Sequence, residues 1–261
     1  MSKIFTFFKQ NIKNMLRMFN ISIFNLKRQE LVAKNFFIPF YKNEDNRLMK
    51  LYWEGLKKAK GEWSDNFSKK LRYYSLFQMA EYVLKKKLQY DFVECGCWNG
   101  HSTWALSKLI QNSEQKINFH IFDSFEGGYS QLQNEDNNLL RNLSKEEIRR
   151  QKEHFSSDEK FVRGILGEFN FLKFYKGWIP QRFSEVENKK FQFVHIDVDL
   201  YQPTYDSLKF FFPRLIDGGI IVCESYNMSE LPGANKAFEY LKDKKINFFY
   251  ESPFGGCFLI K

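Results

Sequence analysis

The sequence predicts an α/β protein built on an open, mostly parallel sheet. From about residue 90 onward, short runs rich in β-branched and aromatic residues alternate with segments of helix length. This alternation is typical of strands joined by crossover helices. The last two predicted strands are separated only by residues 252–256, which are too few for a helix, so these strands should pair antiparallel.

The predicted strands are short, mainly apolar runs, and each is followed by a polar residue or a glycine. They are expected over residues 91–95, 117–122, 172–175, 191–198, 219–223, 246–251 and 257–260. Helices are expected between them over residues 102–111, around 180–186, over 204–215 and over 234–243. The result is a seven-stranded sheet with an antiparallel final strand.

The chain is expected to divide into an N-terminal helical arm and cap, residues 1–89, and a sheet domain, residues 90–261. Within the sheet domain, residues 124–161 interrupt the series of strands and are rich in polar side chains. One helix is predicted there over residues 144–155, because Ser144 begins a sequence that resembles a capping box. A long insertion after the end of a strand is well placed to act as a lid or a substrate loop.

The net charge of +9 is confined to the N-terminal part of the chain. Residues 1–60 hold 13 Lys and Arg against four acids, and the rest of the chain holds 27 residues of each sign. A body with balanced charge argues against a broad nucleic-acid surface. We therefore expect no nucleic-acid partner, and only the arm needs a separate explanation.

Residues 1–28 contain basic residues and no acid, and their apolar residues fall on one stripe of a helix. Such a helix can lie on an anionic membrane, or it can pack on its own domain or on a second copy of the chain. Charges interrupt every long apolar run, so neither a signal peptide nor a spanning helix is predicted. The four cysteines lack the density of a disulfide framework, which favours the cytoplasm, with peripheral contact at the inner face of the membrane left open.

A glycine-bearing loop follows the first predicted strand and leads into a helix at Ser102. Gly96 and Gly100 lack the middle glycine of the dinucleotide fingerprint, and Trp98 lies where that glycine would be needed. Glu94 suits a cationic group and would repel a pyrophosphate. The loop therefore favours a cationic cofactor, although a tight turn alone would also require glycine.

Two further strand ends carry candidate cofactor contacts. Asp123 ends the second predicted strand beside Ser124, where a carboxylate can accept the hydroxyls of a ribose or simply cap a turn. Trp178 follows the third strand, where its ring can stack on an adenine or belong to the core.

Polar and apolar residues alternate from His195 to Asp199, and side chains two apart on a strand share a face. Glu224 ends the next strand, so three acids, the third being Asp197, are expected at one edge of the sheet. Such a set suits Mg²⁺ or a similar hard cation. Asp199 is the candidate base, Asp197 and Glu224 are candidate metal ligands, and His195 is either a catalytic helper or a core residue.

Five blocks of the sequence resemble the macrocin O-methyltransferase family over roughly residues 90–245: Phe92-Val93-Glu94-x-Gly96, Phe122-Asp123-Ser124-Phe125-Glu126-Gly127, Lys176-Gly177-Trp178, Asp197-x-Asp199-Leu200-Tyr201-x-Pro203-Thr204 and Pro213-Arg214-Leu215-x-x-Gly218-Gly219. The resemblance implies a class I methyltransferase (Rossmann-like) fold, S-adenosylmethionine as cofactor, dependence on Mg²⁺, and methylation of sugar or related hydroxyls. It also implies cofactor contacts at Glu94, Gly96, Asp123 and Ser124, a metal ligand at Asp197, and a base or ligand at Asp199.

The chain departs from the family pattern at one point. Where the family usually has two consecutive aspartates before a tyrosine, this chain has Glu224, Ser225 and Tyr226. Glu224 can still bind a metal, whereas Ser225 is a neutral and weaker donor. We therefore expect Asp197, Glu224 and Ser225 to form a magnesium site of reduced affinity.

The expected function is Mg²⁺-dependent O-methylation of a sugar hydroxyl, in a sugar nucleotide, a surface polysaccharide or a glycosylated metabolite. Two alternatives stay open. An NAD-dependent sugar-modifying oxidoreductase would share the α/β class, but the missing glycine and the closing hairpin oppose it. A non-catalytic, membrane-associated scaffold with the same fold would explain Ser225.

Overall fold

A computed structural model describes residues 46–128, 132–136, 145–228 and 232–261, so the arm predicted over residues 1–28 lies outside the described part. The seven strands found there are β1 (Asp91–Cys95), β2 (Phe119–Asp123), β3 (Leu172–Lys176), β4 (Phe191–Ile196), β5 (Leu215–Cys223), β6 (Phe248–Glu251) and β7 (Cys257–Ile260). They form one sheet in the order β3-β2-β1-β4-β5-β7-β6. Strands β1 to β5 are parallel, and β7 is antiparallel to both β5 and β6, which confirms the predicted fold class.

The central strands are buried because helices cover both faces of the sheet. Every residue of β4 is buried, including its polar members, and β1 is buried from its second residue onward. Such strands have nearly continuous apolar sequences and lack the alternation of a half-exposed strand. At the edge of the sheet, by contrast, all four residues of β6 are exposed.

The α-helices of the described residues are α1 (Arg47–Lys58), α2 (Phe67–Lys85), α3 (His101–Ser113), α4 (Lys145–Phe155), α5 (Glu159–Ile165), α6 (Tyr201–Phe211) and α7 (Pro232–Ala237). None of the helices in this part of the chain is long and apolar enough to cross a membrane.

Helix α2 packs outside the sheet and is held at both ends by hydrogen bonds. Its N-cap, Asn66, accepts a hydrogen bond from the Lys69 amide at 2.8 Å. Near this end the Ser68 hydroxyl donates to the Phe254 carbonyl at 2.7 Å, and beyond the other end Lys86 donates to the Gly218 carbonyl at 3.2 Å. Helix α2 is therefore anchored at both ends to the β5–β7 side of the sheet, with its first turns near the carboxyl ends of the strands.

Several predicted boundaries differ from the structure. Strand β4 ends at Ile196 and does not continue to residue 198, and the backbone turns into the left-handed region at Asp199, with φ of 61°. Around residues 180–186 the chain forms only a 3-10 turn, Phe183–Val186. The helix predicted over residues 204–215 begins earlier, at Tyr201, and ends before Pro213. Proline is tolerated in the first turn of a helix but interrupts its interior.

A helix that the sequence did not indicate begins at the end of the predicted insertion and continues beyond it. Helix α5 begins after Asp158, whose side chain accepts a hydrogen bond from the Lys160 amide. Helix α5 is short and lies among exposed, charged residues. Its apolar residues therefore do not show a clear helical periodicity in the sequence. Farther along the chain, the helix predicted over residues 234–243 divides into α7 and a 3-10 turn, Phe238–Leu241.

Asp91 fastens the amino-terminal ends of the central strands. It accepts hydrogen bonds from the Asn118 amide at 2.8 Å, from His120 Nε2 at 2.9 Å and from Lys189 Nζ at 3.0 Å. Burial opposes its charge, but the bonds from His120, Asn118 and Lys189 outweigh burial and hold the pKa of Asp91 well below its ordinary value.

Replacing Asp91 with Asn should lower the free energy of unfolding by about 1.5–3 kcal/mol, because hydrogen bonds to a charged acceptor are lost. The measurement is urea denaturation at pH 7, with Asp243→Asn at an exposed position as the control. A carboxyl group with a depressed folded pKa stabilises the protein above its unfolded pKa and loses this effect as the pH falls. The difference from wild type should therefore narrow below about pH 4, and equal denaturation midpoints at pH 7 would contradict this role.

Candidate active site

An open pocket of about 740 Å³, including its mouth, lies at the carboxyl ends of the parallel strands. Ligands of open α/β sheets bind at this edge, where the strand order reverses, here between β1 and β4. Residues that follow β1, β2, β3 and β4 line the pocket together.

Gly96 allows two of these strand ends to approach each other closely. Its φ is +86°, and a Cβ atom at this position would lie 2.1 Å from the carbonyl oxygen of Asp197. The Asp197 amide in turn donates to the Cys95 carbonyl at 2.8 Å. Only glycine fits here, so the loop after β1 and the chain leaving β4 form adjacent walls of the pocket.

Asp123 organises the glycine-bearing loop. Its Oδ2 accepts the amides of Cys97, at 2.7 Å, and Trp98, at 3.0 Å, and its Oδ1 accepts the amide of Phe125 at 2.7 Å. Burial raises the pKa of Asp123, while these hydrogen bonds oppose the rise. Asp123 also lines the pocket, so its carboxylate is exposed to a ligand there.

Asp197 and Asp199 lie in the same pocket. The Ser225 hydroxyl donates to Asp199 Oδ1 at 2.7 Å. Burial, together with the charges of Asp199 and Glu224, raises the pKa of Asp197 to about 7. Burial also raises the pKa of Asp199, and the hydrogen bond from Ser225 opposes this rise.

The charge of the pocket is one-sided. Its walls carry the carboxylates of Asp123, Asp197 and Asp199, and among the described residues that line it there is no Lys or Arg. The remaining walls are largely apolar or aromatic, as at Phe122, Trp178 and the other ring-bearing residues. This arrangement attracts a ligand with positive charge and repels an anionic one.

Glu94 and His195 are fully buried and do not line the pocket. Glu94 accepts hydrogen bonds from the Thr103 hydroxyl and from His195 Nδ1, the latter at 2.9 Å. Burial disfavours the charged imidazole, but Glu224 and Glu94 outweigh burial and raise the pKa of His195 to about 10. His195 therefore lies between two carboxylates, that of Glu94 on β1 and that of Glu224 just after β5.

Glu224 is also buried, and its partners are cations of the protein. Its Oε2 accepts a hydrogen bond from Arg72 Nε at 2.9 Å, and its Oε1 lies 3.8 Å from His195 Nε2. Arg72 belongs to α2, 152 residues away in the sequence, and no motif indicated it. Sequence reasoning missed this contact because only the docking of α2 creates it.

The predicted metal ligands do not assemble into a cation site. Glu224 is paired with Arg72, and Ser225 donates its hydroxyl to Asp199. Within the described ranges, no group of three or more His, Cys, Asp and Glu side chains could hold a metal ion. With one of its two carboxylates already neutralised by Arg72, the predicted donor set does not fit Mg²⁺.

The other predicted cofactor residues separate into two groups. Ser124 and Trp178 line the pocket, whereas Gly100 and Ser102 lie at the start of α3, outside the lining. The sequence had not singled out Phe155, the last residue of α4, which forms a wall of the pocket. The insertion thus contributes to the site through the end of its predicted helix.

The chain resembles known O-methyltransferases in sequence. Residues 29–248 match the family model described as Macrocin-O-methyltransferase (TylF). Demethyldecarbamoylnovobiocin O-methyltransferase of Streptomyces niveus is 23% identical over 168 residues, which are 60% of each chain. The 8-demethyl-8-(2,3-dimethoxy-alpha-L-rhamnosyl)-tetracenomycin-C 4'-O-methyltransferase of Streptomyces olivaceus is 24% identical over 158 residues, 56% of this chain and 57% of that protein.

The chain spans somewhat under two thirds of the length of these two curated relatives. The structure of the O-methyltransferase NovP superposes with a TM-score of 0.58 at 21% identity, over 72% of this chain and 78% of that one. The two share the class I, Rossmann-like fold. Because the family model covers most of the chain and every residue that lines the pocket, the chain belongs to the macrocin O-methyltransferase family.

Proposed function

We propose that the protein is an S-adenosylmethionine-dependent O-methyltransferase. The observation that carries this proposal is the acidic pocket at the strand ends, lined by Asp123, Asp197 and Asp199 without a neighbouring Lys or Arg among the described lining residues. S-adenosylmethionine, when bound, supplies a methyl group on a positively charged sulfur, which passes to an acceptor oxygen and leaves S-adenosylhomocysteine. A pyrophosphate-bearing dinucleotide would meet repulsion in this pocket, which opposes the alternative of an NAD-dependent oxidoreductase.

The cofactor contacts that we propose follow from the pocket walls. Asp123 lines the pocket as the proposed acceptor for ribose hydroxyls, and Ser124 lies beside it. Trp178 offers an aromatic wall for the adenine, and Gly96 keeps the loop close to the methyl-transfer region. Glu94, Gly100 and Ser102 are assigned supporting roles, since they do not line the pocket.

Asp199 is the proposed base. A base must first have the correct geometry, and the Ser225 hydroxyl fixes the orientation of the Asp199 carboxylate. Asp199 accepts the proton of the acceptor hydroxyl while the new O–C bond forms and the S–C bond breaks. His195 is a positioning residue, because its ring holds Glu94 and approaches Glu224 behind the pocket wall.

The proposed acceptor is a sugar hydroxyl. One relative is named as a methyltransferase of a rhamnosyl group, which supports this class of acceptor. The sugar nucleotide, surface polysaccharide and glycosylated metabolite are three forms in which such a hydroxyl occurs. We also propose that residues 1–28, which lie outside the described residues, contact the membrane and place the protein at its inner face.

Calorimetric titration with S-adenosylmethionine should give saturable binding, whereas NAD should give none. Asp123→Ala should weaken S-adenosylmethionine binding by at least about tenfold, because it removes a carboxylate acceptor and loosens the loop. Saturable NAD binding without a response to S-adenosylmethionine would overturn the proposal. Cofactor binding without methyl transfer to any member of a panel of sugar acceptors would favour the non-catalytic scaffold.

Asp199→Asn should lower kcat by at least about 100-fold, the usual contribution of a general base. Its affinity for S-adenosylmethionine should fall less than that of Asp123→Ala, since the pocket keeps its shape and two of its three carboxylates. Radiolabelled methyl transfer measures the first quantity and calorimetry the second, with Asp206→Asn on α6 as the matched control. Wild-type turnover in the Asp199 variant would remove Asp199 from the role of base.

A further inference from the structure

Arg72 brings a guanidinium group to the carboxylates at the strand ends. Its Nε donates to Glu224 Oε2 at 2.9 Å, and its Nη1 lies 2.7 Å from the Ser68 hydroxyl, one turn earlier on α2. The Arg72 side chain is 14% exposed and that of Glu224 only 4%. The pair is therefore a buried ion pair with a fixed geometry.

Glu224 is neutralised from two sides. Arg72 bonds one of its oxygens, and the imidazolium of His195 lies 3.8 Å from the other. Although burial opposes its charge, His195 and Arg72 hold the pKa of Glu224 below its ordinary value. A divalent cation at Glu224 would have to displace the guanidinium or share the carboxylate with two positive charges.

Asp197 and Asp199 are also within the field of these protein cations. Arg72 stabilises the negative charge of both carboxylates, and His195 stabilises that of Asp197. Lys69, one turn before Arg72 on the same helix, is buried and also attracts Asp197, while its Nζ donates to Ser64 at 2.9 Å. The buried acids thus have positive partners supplied by the chain itself.

We propose that Arg72 takes the place of the divalent cation, so that methyl transfer in this chain requires no bound metal ion. The claim about methyl transfer rests on the proposed function. The claim that the site binds no metal ion can be tested without it. Arg72 acts as a positioning residue: it fixes Glu224, and through Glu224 and His195 it supports the strand ends that carry the pocket. Ser225 fits this arrangement, because a neutral hydroxyl can donate to Asp199 where a second carboxylate would add repulsion.

The primary test is a titration of the full chain with Mn²⁺, followed by the electron paramagnetic resonance signal of the free ion, with and without S-adenosylhomocysteine. We expect no binding up to about 1 mM Mn²⁺. Any remaining affinity would then be far weaker than that of a specific metal site. Methyl transfer should change less than twofold when EDTA replaces Mg²⁺. Stoichiometric Mn²⁺ binding in the micromolar range would overturn the proposal, as would activity that EDTA abolishes and Mg²⁺ restores. Because metal binding is measured directly, its result is independent of whether an acceptor has been found.

Variants test whether Arg72 is the group that excludes the metal. Ser225→Asp alone should still show no Mn²⁺ binding up to about 1 mM, whereas Arg72→Gln combined with Ser225→Asp should bind Mn²⁺ at least about tenfold more tightly than that limit. Arg163→Gln combined with Ser225→Asp is the matched control, since Arg163 forms an exposed ion pair with Glu159 on α5. Tight Mn²⁺ binding by Ser225→Asp alone would show that Arg72 does not exclude the metal.

Removal of Arg72 leaves Glu224 buried with one partner fewer and is expected to destabilise the fold. Thermal unfolding therefore accompanies each titration, and Arg72→Lys serves as the conservative variant. This variant keeps the positive charge and should keep methyl transfer insensitive to EDTA. If Arg72→Lys gained a requirement for Mg²⁺, the charge of Arg72 would not be the property that replaces the metal.

Discussion

The structure depends on the requirement that charges inside a protein be paired. Glu94 on β1, His195 on β4 and Glu224 after β5 are buried at the strand ends, where an unpaired charge would cost several kcal/mol. They alternate in sign across the sheet, and Arg72 completes the row from α2. Three strand ends and one outer helix are therefore held in register by a single electrostatic network.

This network divides the site into two layers. The inner layer, in which carboxylates meet cations of the protein, is electrically satisfied and structural. The outer layer, formed by Asp123, Asp197 and Asp199, faces the pocket without a basic residue among its described lining. Positive charge from a ligand is therefore most favourable in the outer layer, which is where the proposed chemistry needs it. The inner layer also explains how the outer carboxylates tolerate their proximity, since Arg72 and His195 moderate the repulsion at Asp197.

Much of the fold could be predicted because the central strands are buried on both faces and have continuous apolar sequences. The limits of β1 and β7 were predicted to the residue, and the short connection between β6 and β7 required an antiparallel pair. The errors fall where local pattern and tertiary context disagree. The alternation from His195 to Asp199 resembles one strand, but β4 ends at Ile196 and the backbone turns at Asp199. Helix α5 is too short and too polar around its apolar residues to give a clear periodicity.

The sequence by itself determined which chemical groups lie near the carboxyl edge of the sheet, because the order of parallel strands carries their ends to one side. Asp123, Asp197 and Asp199 were all identified in this way, as was the glycine that permits the close approach at residue 96. Only the tertiary structure decided which of these groups face the pocket and which face one another. Glu94, His195 and Glu224 look like site residues in the sequence, but they are partners in a buried network that closes on Arg72. That distinction depends on the docking of α2 against the sheet, a contact between residues 152 positions apart that no local pattern encodes.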